Sequence, residues 1–118
     1  SIDHFIYKYD IKNLSLKIFY ELDYTEEALC LIHSYKEFLR NNDFMPDERK
    51  KKHKNYIKYL EKLILIKSGN YVTDLDYLKY EVNRKKNILY KNWFNSKINE
   101  LISGTSGKPP KTTFKKEA

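Results

Sequence analysis

The chain has 118 residues, 41% of them hydrophobic and 33% charged, a balance that excludes a largely disordered protein. This length suits one domain with its own core. The longest aliphatic run, residues 63–66, is far shorter than the ~20 residues of a membrane-spanning helix, and no signal peptide opens the chain. Because a single cysteine favours a reducing compartment, we predict a cytoplasmic protein without a membrane span. The chain opens on Ser1, so we expect it to be part of a longer polypeptide.

The formal net charge of +7 raises the question of an anionic partner. Only 3 of the 23 basic residues are arginine, the side chain that favours bidentate contacts with phosphate and guanine. The chain is also rich in Lys, Asn, Ile and Tyr, the residues that AT-rich codons encode. We favour codon composition as the source of the charge and keep nucleic-acid binding as the alternative.

Apolar residues recur at helical spacing from the start of the chain. Residues 1–10 resemble the end of one helix, and a second helix follows over residues 11–22. A turn at residues 23–25 leads into the next helix, over residues 26–41, with Thr25 as a suitable N-cap. The predicted apolar stripe of the second helix, which we expect to hold neighbouring helices together, consists of Ile11, Leu14, Ile18, Phe19 and Leu22.

The segment 28–32 is apolar on every side of its helix. Such a helix has to be covered on more than one side, so we predict it between the helices that precede and follow it. The following helix is expected over residues 47–67, with Pro46 in its first turn and Gly69 in the left-handed conformation that ends it. Its predicted apolar stripe is Tyr56, Tyr59, Leu60, Leu63, Ile64 and Ile66.

The last part of the chain contains either two further helices or one bent helix. Helical spacing extends over residues 74–86, capped by Thr73, and over residues 88–102, with no strong breaker between them. From residue 103 the composition changes to Gly, Ser, Pro, Thr and Lys, which is typical of a flexible tail. We therefore divide the chain into a helical domain, 1–102, and a flexible tail, 103–118. An aromatic cluster expected mainly in the core is formed by Tyr80, Tyr90, Trp93 and Phe94.

The predicted fold is all-α, with about five antiparallel helices arranged as helical hairpins, because short connections make neighbouring helices antiparallel. One segment resembles the tetratricopeptide repeat, in which an aromatic residue on the first helix precedes Tyr-x-x-Ala on the second. Here Phe19 is followed by Tyr24 and Ala28, one residue further apart than in the repeat. The stretch 14–63 also resembles the C-terminal region of large bacterial helical-repeat proteins, which have a segment similar to the Tyr-Lys-x-Phe-Leu-x-x-Asn of residues 35–42. The resemblance implies the terminal part of such a protein, with protein–protein scaffolding as its role.

No residue pattern indicates catalysis. Cys30 and His33 lie one helical turn apart, but a structural zinc site needs four ligands, so we expect a buried thiol and an imidazole at the edge of the core. Residues 104–108 differ from a phosphate-binding loop in spacing and follow a helix rather than a strand. We therefore expect no enzyme, no metal, no cofactor and no small-molecule substrate.

The best candidate binding surface is the basic half of the helix over residues 47–67. Between residues 46 and 70, eight basic and three acidic residues give a net charge of about +5. Such lysines could follow phosphates while tyrosines stack on bases, although a solvated outer face explains the pattern and is favoured. We predict a scaffold that binds a protein partner, with a nucleic-acid-binding module as the alternative. The candidate residues for either partner are Arg49, Lys50, Lys51, Lys52, Lys54, Lys58 and Tyr56.

Overall fold

The computed structural model describes residues 2–41, 43–69 and 74–104, and within these ranges the chain forms five α-helices and no strand. The predicted all-α fold is thus confirmed. Most of the predicted tail, residues 105–118, lies outside the described residues. The helices are α1 (Ile2–Glu21), α2 (Thr25–Arg40), α3 (Asp47–Lys67), α4 (Leu75–Arg84) and α5 (Lys91–Ser103).

The first helix is continuous, so the predicted boundary near residue 10 was wrong. Residues 9–12 contain neither glycine nor proline, and nothing there interrupts the backbone hydrogen bonds. The helix ends at a tight turn in which Asp23 adopts a left-handed conformation, with φ of 60°. Because this turn is so short, Thr25 is already the first residue of α2 and Tyr24 occupies the N-cap, contrary to the prediction for Thr25.

The boundaries of α3 agree with the predicted range, and Gly69 has the expected positive φ, 82°. Pro46 sits at the N-cap, one residue before the predicted first turn. The N-cap of α4 is Asp74, whose carboxylate accepts a hydrogen bond from the backbone N–H of Asp76 at 2.9 Å, whereas the predicted cap, Thr73, lies outside the described residues.

The open choice between two helices and one bent helix is resolved in favour of two. The chain leaves the helical conformation at Lys85, whose backbone is extended, and re-enters it after Tyr90, which has φ of 58°. The apolar residues of this connection contribute to the core, since Ile88 is buried and Leu89 packs against the buried cluster.

Consecutive helices run antiparallel, as the contacts between their ends show. The ring of Tyr9, in the first half of α1, packs at 5.1 Å against that of Phe38, in the last turn of α2, and the side chains of Asn83, at the end of α4, and Asn95, near the start of α5, meet at 2.7 Å. The ammonium of Lys67 donates to the backbone carbonyl of Tyr20 at 2.7 Å, which brings the C-terminal ends of α3 and α1 together. The odd-numbered helices therefore point one way and the even-numbered helices the other.

The core is centred on α3 rather than on α2. As predicted, α2 contacts both α1 and α3, but α3 also packs against α5. One side of α2 faces solvent, because Cys30 and His33 are exposed, so the expectation that they are buried or at the core edge was wrong. Helix α3 supplies seven buried residues, which are His53, Tyr56, Ile57, Tyr59, Leu60, Leu63 and Ile64.

Candidate interaction surfaces

The apolar stripe predicted for residues 11–22 does not form the core. Leu14 is 61% exposed, and Ile11, Ile18 and Leu22 are about half exposed, whereas Phe19 is partly buried. With Tyr7, which is also exposed, they lie on one side of the helix, which we call the outer face of α1. Its members are Tyr7, Ile11, Leu14, Ile18 and Leu22.

The outer face lies directly opposite the residues by which α1 joins the core. At about 100° of rotation per residue, the buried residues point to one side of the helix and the outer face points to the other. Helix α1 therefore carries apolar residues on two opposite sides, one packed against the core and the other exposed. The inner residues are Tyr9, Asn13, Leu16 and Tyr20, all buried.

Long-range contacts fix which side of α1 points inward. The ring of Tyr9 packs against that of His53 in α3, with centroids 4.7 Å apart, and the Tyr20 ring meets Trp93 edge-on at 5.5 Å. The ammonium of Lys17 lies 3.6 Å from the centre of the Tyr90 ring. Rotation of α1 to bury its outer face would break these contacts with both α3 and α5.

The outer face is large for a single helix. Five large apolar side chains, each about half exposed, present on the order of 500 Å², and the largest apolar patch on a typical monomer is about 300–600 Å² and often functional. From Tyr7 to Leu22 the surface extends about 22 Å at 1.5 Å of rise per residue. This is the length of a four-turn helix.

The structure divides the predicted basic surface of α3 into two groups. Lys51, Lys54 and Lys58 are exposed on the outer side of the helix, where Lys50 is half-buried. Arg49 and Lys52 instead line a cavity beside α1. The predicted cationic residues therefore do not act as one continuous stripe.

Tyr56 is not a surface residue, and its inclusion in the candidate site was wrong. Its side chain is fully buried, packed edge-on against Tyr90 and Phe94 with ring centroids 5.1 and 5.8 Å away. His53 and Tyr59, which also alternate with the lysines, are buried as well. None of these three rings is available to stack on a nucleic-acid base.

A basic groove of about 330 Å³ runs between α2 and α3. Two of its cations are already paired, Lys36 with Glu61 at 2.9 Å and Arg40 with Glu37 at 2.6 Å. Lys54 forms no ion pair with a described residue. The apolar floor and the cations of the groove are Leu39, Ile57, Lys36, Arg40, Lys54 and Lys58.

A buried polar network links α1, α2 and α3, and no pattern in the sequence indicates it. The hydroxyl of Tyr35 donates to Asn13 Oδ1 at 2.8 Å and lies 2.7 Å from His53 Nδ1. Since its one proton is used on Asn13, the hydroxyl accepts from Nδ1–H, which leaves Nε2 of His53 as an acceptor. Asn13 Nδ2 in turn donates to the hydroxyl of Tyr90 at 3.2 Å. The four residues come from separate segments, so no local pattern identifies them.

The aromatic residues expected in the core near the end of the domain are only partly there. Phe94 is fully buried and Trp93 half-buried, while Tyr80 is 61% exposed. Tyr90 lies at the edge, 37% exposed. Trp93 nevertheless joins the core through its edge contacts with Tyr20 and Phe94.

Among the described residues, no group of three or more His, Cys, Asp or Glu side chains is placed to hold a metal ion. None of the described helices has the length and apolar character needed to cross a membrane. Comparisons with protein families, with curated proteins and with solved structures found no match to this chain.

Proposed function

We propose that this protein is a non-catalytic helical scaffold, the terminal part of a larger helical-repeat protein, that binds an amphipathic helix of a protein partner along the outer face of α1. The observation that carries the proposal is the exposed apolar surface opposite the buried side of that helix. The proposal includes a cytoplasmic setting, which the single cysteine supports.

The spacing of the outer face favours a helix as its occupant. Its members are separated by three or four residues, the spacing by which two helices pack along a seam. Anchors at this spacing are also the mark of helix-in-groove recognition. A partner helix of about four turns would match the 22 Å length of the surface.

Charged residues border the outer face on both sides. Lys8 lies along one edge and Asp10 along the other, and both side chains are exposed. Charges at such flanking positions set the orientation of paired helices. The favoured partner helix therefore places an acidic residue near Lys8 and a basic residue near Asp10.

The proposal is tested by crosslinking in the producing cell. A photoreactive benzoylphenylalanine replaces Leu14 in one variant and Ser34, an exposed residue of α2, in the matched control. Crosslinks from position 14 are expected to map to a protein segment at sites three or four residues apart, with far lower yield from position 34. Equal yields from both positions, or capture of nucleic acid, lipid or a second copy of this chain, would overturn the proposal.

A second candidate function is binding to the phosphates of nucleic acid through the basic groove. The observation in its favour is that Lys36, Arg40, Lys54 and Lys58 converge on one groove. With the tyrosines of α3 buried, such binding follows the backbone and is steeply weakened by salt. The variant Lys54→Glu/Lys58→Glu is expected to abolish binding to generic DNA or RNA, and the absence of binding by the wild type at low salt eliminates this function.

A further inference from the structure

A cavity of about 570 Å³ opens at the end of the bundle where α3 begins. Ligand pockets in proteins typically measure about 300–1,000 Å³, so its size is that of a small-molecule site. It is an open cleft bordered by α1, by the start of α3 and the segment before it, and by the connection between α4 and α5. Most of its wall is apolar, formed by Tyr9, Phe44, Met45, Pro46 and Leu89.

Two cations lie at the rim of this cavity. Arg49 and Lys52 are one helical turn apart on α3, and both line the cavity. Neither forms an ion pair with a described residue. Asp10 is the carboxylate among the lining residues, so the rim keeps one positive charge in excess.

The buried polar network supplies the hydrogen-bonding groups of the cavity. His53, Asn13 and Tyr90 all line it. Nδ1 of His53 is engaged by Tyr35, and no hydrogen bond joins Nε2 to a described residue. Burial, followed by the positive charge of Arg49, lowers the pKa of His53 to about 4. At neutral pH the ring is therefore uncharged, and Nε2 keeps the lone pair that accepts a hydrogen bond.

The backbone conformation of Tyr90, which lines the cavity, is of a kind found at functional sites. A φ of 58° is uncommon for a bulky residue. Such conformations cost energy and persist where the surroundings fix them, which is most often at functional sites. Here the hydrogen bond from Asn13 and the cation–π contact with Lys17 hold the ring.

We propose that this cavity binds a small organic anion with an apolar body, whose negative group lies between Arg49 and Lys52 and whose hydrogen-bond donor meets Nε2 of His53. This inference departs from the sequence-based expectation of no small-molecule substrate. The cavity is distinct from the proposed partner surface, because none of the outer-face residues of α1 lines it and only Asp10 borders both.

The fluorescent probe 8-anilinonaphthalene-1-sulfonate tests the proposal, because it combines a sulfonate, an aromatic body and an N–H donor. The wild type is expected to bind one molecule. The variant Arg49→Ala/Lys52→Ala should bind about tenfold more weakly or worse, since hydrogen bonds to charged groups are among the strongest. The matched control Lys51→Ala/Lys86→Ala removes the same charge from exposed positions outside the cavity and should bind as the wild type does.

Two further variants separate the cavity from other apolar surfaces. Leu14→Gln/Ile18→Gln should leave probe binding unchanged, and Asp10→Asn should tighten it several-fold by removing the opposing carboxylate. In nitrogen NMR spectra, the resonance of His53 Nε2 should shift when the probe binds, while the resonances of His33 should not.

Failure of the wild type to bind the probe, or undiminished binding by a folded Arg49→Ala/Lys52→Ala variant, overturns the proposal. Loss of binding in the Leu14→Gln/Ile18→Gln variant would assign the probe to the outer face of α1 and overturn it as well. Circular dichroism spectra establish that each variant is folded.

Discussion

Acidification is expected to destabilise the fold through His53. Burial first and Arg49 second lower the pKa of its imidazole from 6.5 to about 4, while Asp10 acts in the opposite direction. Because the folded-state pKa lies below the unfolded one, the unfolded chain takes up the proton first as the pH falls. The contribution of His53 to stability is therefore complete above about pH 6.5 and is lost as the pH approaches 4.

The magnitude follows from the difference between the two pKa values. Each pH unit of difference corresponds to about 1.4 kcal/mol, so lowering the pH to 4 is expected to reduce the free energy of unfolding by about 3 kcal/mol through this residue alone. The total stability of a typical domain is about 5–15 kcal/mol, so the loss is large enough to measure.

Urea unfolding at pH 7 and pH 4 measures the effect. Carboxylates also titrate in this interval, so the wild type is compared with His53→Gln, which lacks the imidazole, and with His33→Gln, which lacks an exposed one. The loss between the two pH values should be about 3 kcal/mol smaller for His53→Gln than for the other two proteins. Equal losses in all three would show that His53 is not a buried neutral histidine, and the reasoning would fail.

Three more substitutions are expected to have separate effects on the free energy of unfolding, each measured by urea titration. Tyr35→Phe should cost about 1–3 kcal/mol, because it leaves two buried polar partners without their hydrogen bond, and a neutral result contradicts the network. Lys67→Ala should cost about 1–2 kcal/mol by leaving the carbonyl of Tyr20 without its charged donor, whereas Lys51→Ala should cost nothing. Asp74→Ala should cost about 1 kcal/mol by removing the N-cap of α4, and an unchanged stability refutes that cap.

The sequence was sufficient for features that depend on neighbouring residues. The range of α3 and the left-handed conformation of Gly69 were predicted correctly. The signals used were the spacing of apolar residues, a proline at the helix start and a glycine at its end, and each of these affects only the backbone a few residues away. The caps at Thr25 and Thr73 were less predictable, since a shift of one residue in a turn changes which side chain occupies the N-cap.

The orientation of α1 could not be predicted from its own residues. Both of its sides carry apolar residues at helical spacing, so the period allows either side to face inward. The choice is made by Tyr9, Lys17 and Tyr20, through contacts with residues more than 20 positions away in the chain. The aromatic rings of the inner side bury more surface than the aliphatic side chains of the outer side, which favours the observed arrangement.

The candidate site was predicted in part. The charge of α3 was evident, but its division into an outer group and a cavity group depends on the position of α1. We predicted Tyr56 at the surface because it stands among lysines in the sequence. It is buried because its ring packs against Tyr90 and Phe94, which are distant in the chain. The residues that line the cavity come from distant segments of the chain, so no sequence motif predicts it.

Leu14 and Leu16 provide the most direct test that α1 turns one apolar face to the core and leaves the other exposed. Leu16 is fully buried, while Leu14, two residues away, is 61% exposed. In urea unfolding of the 118-residue chain, Leu16→Ala should cost about 2–5 kcal/mol, and Leu14→Ala should stay within about 0.5 kcal/mol of the wild type. A cost at Leu14 equal to or greater than that at Leu16 would contradict the account.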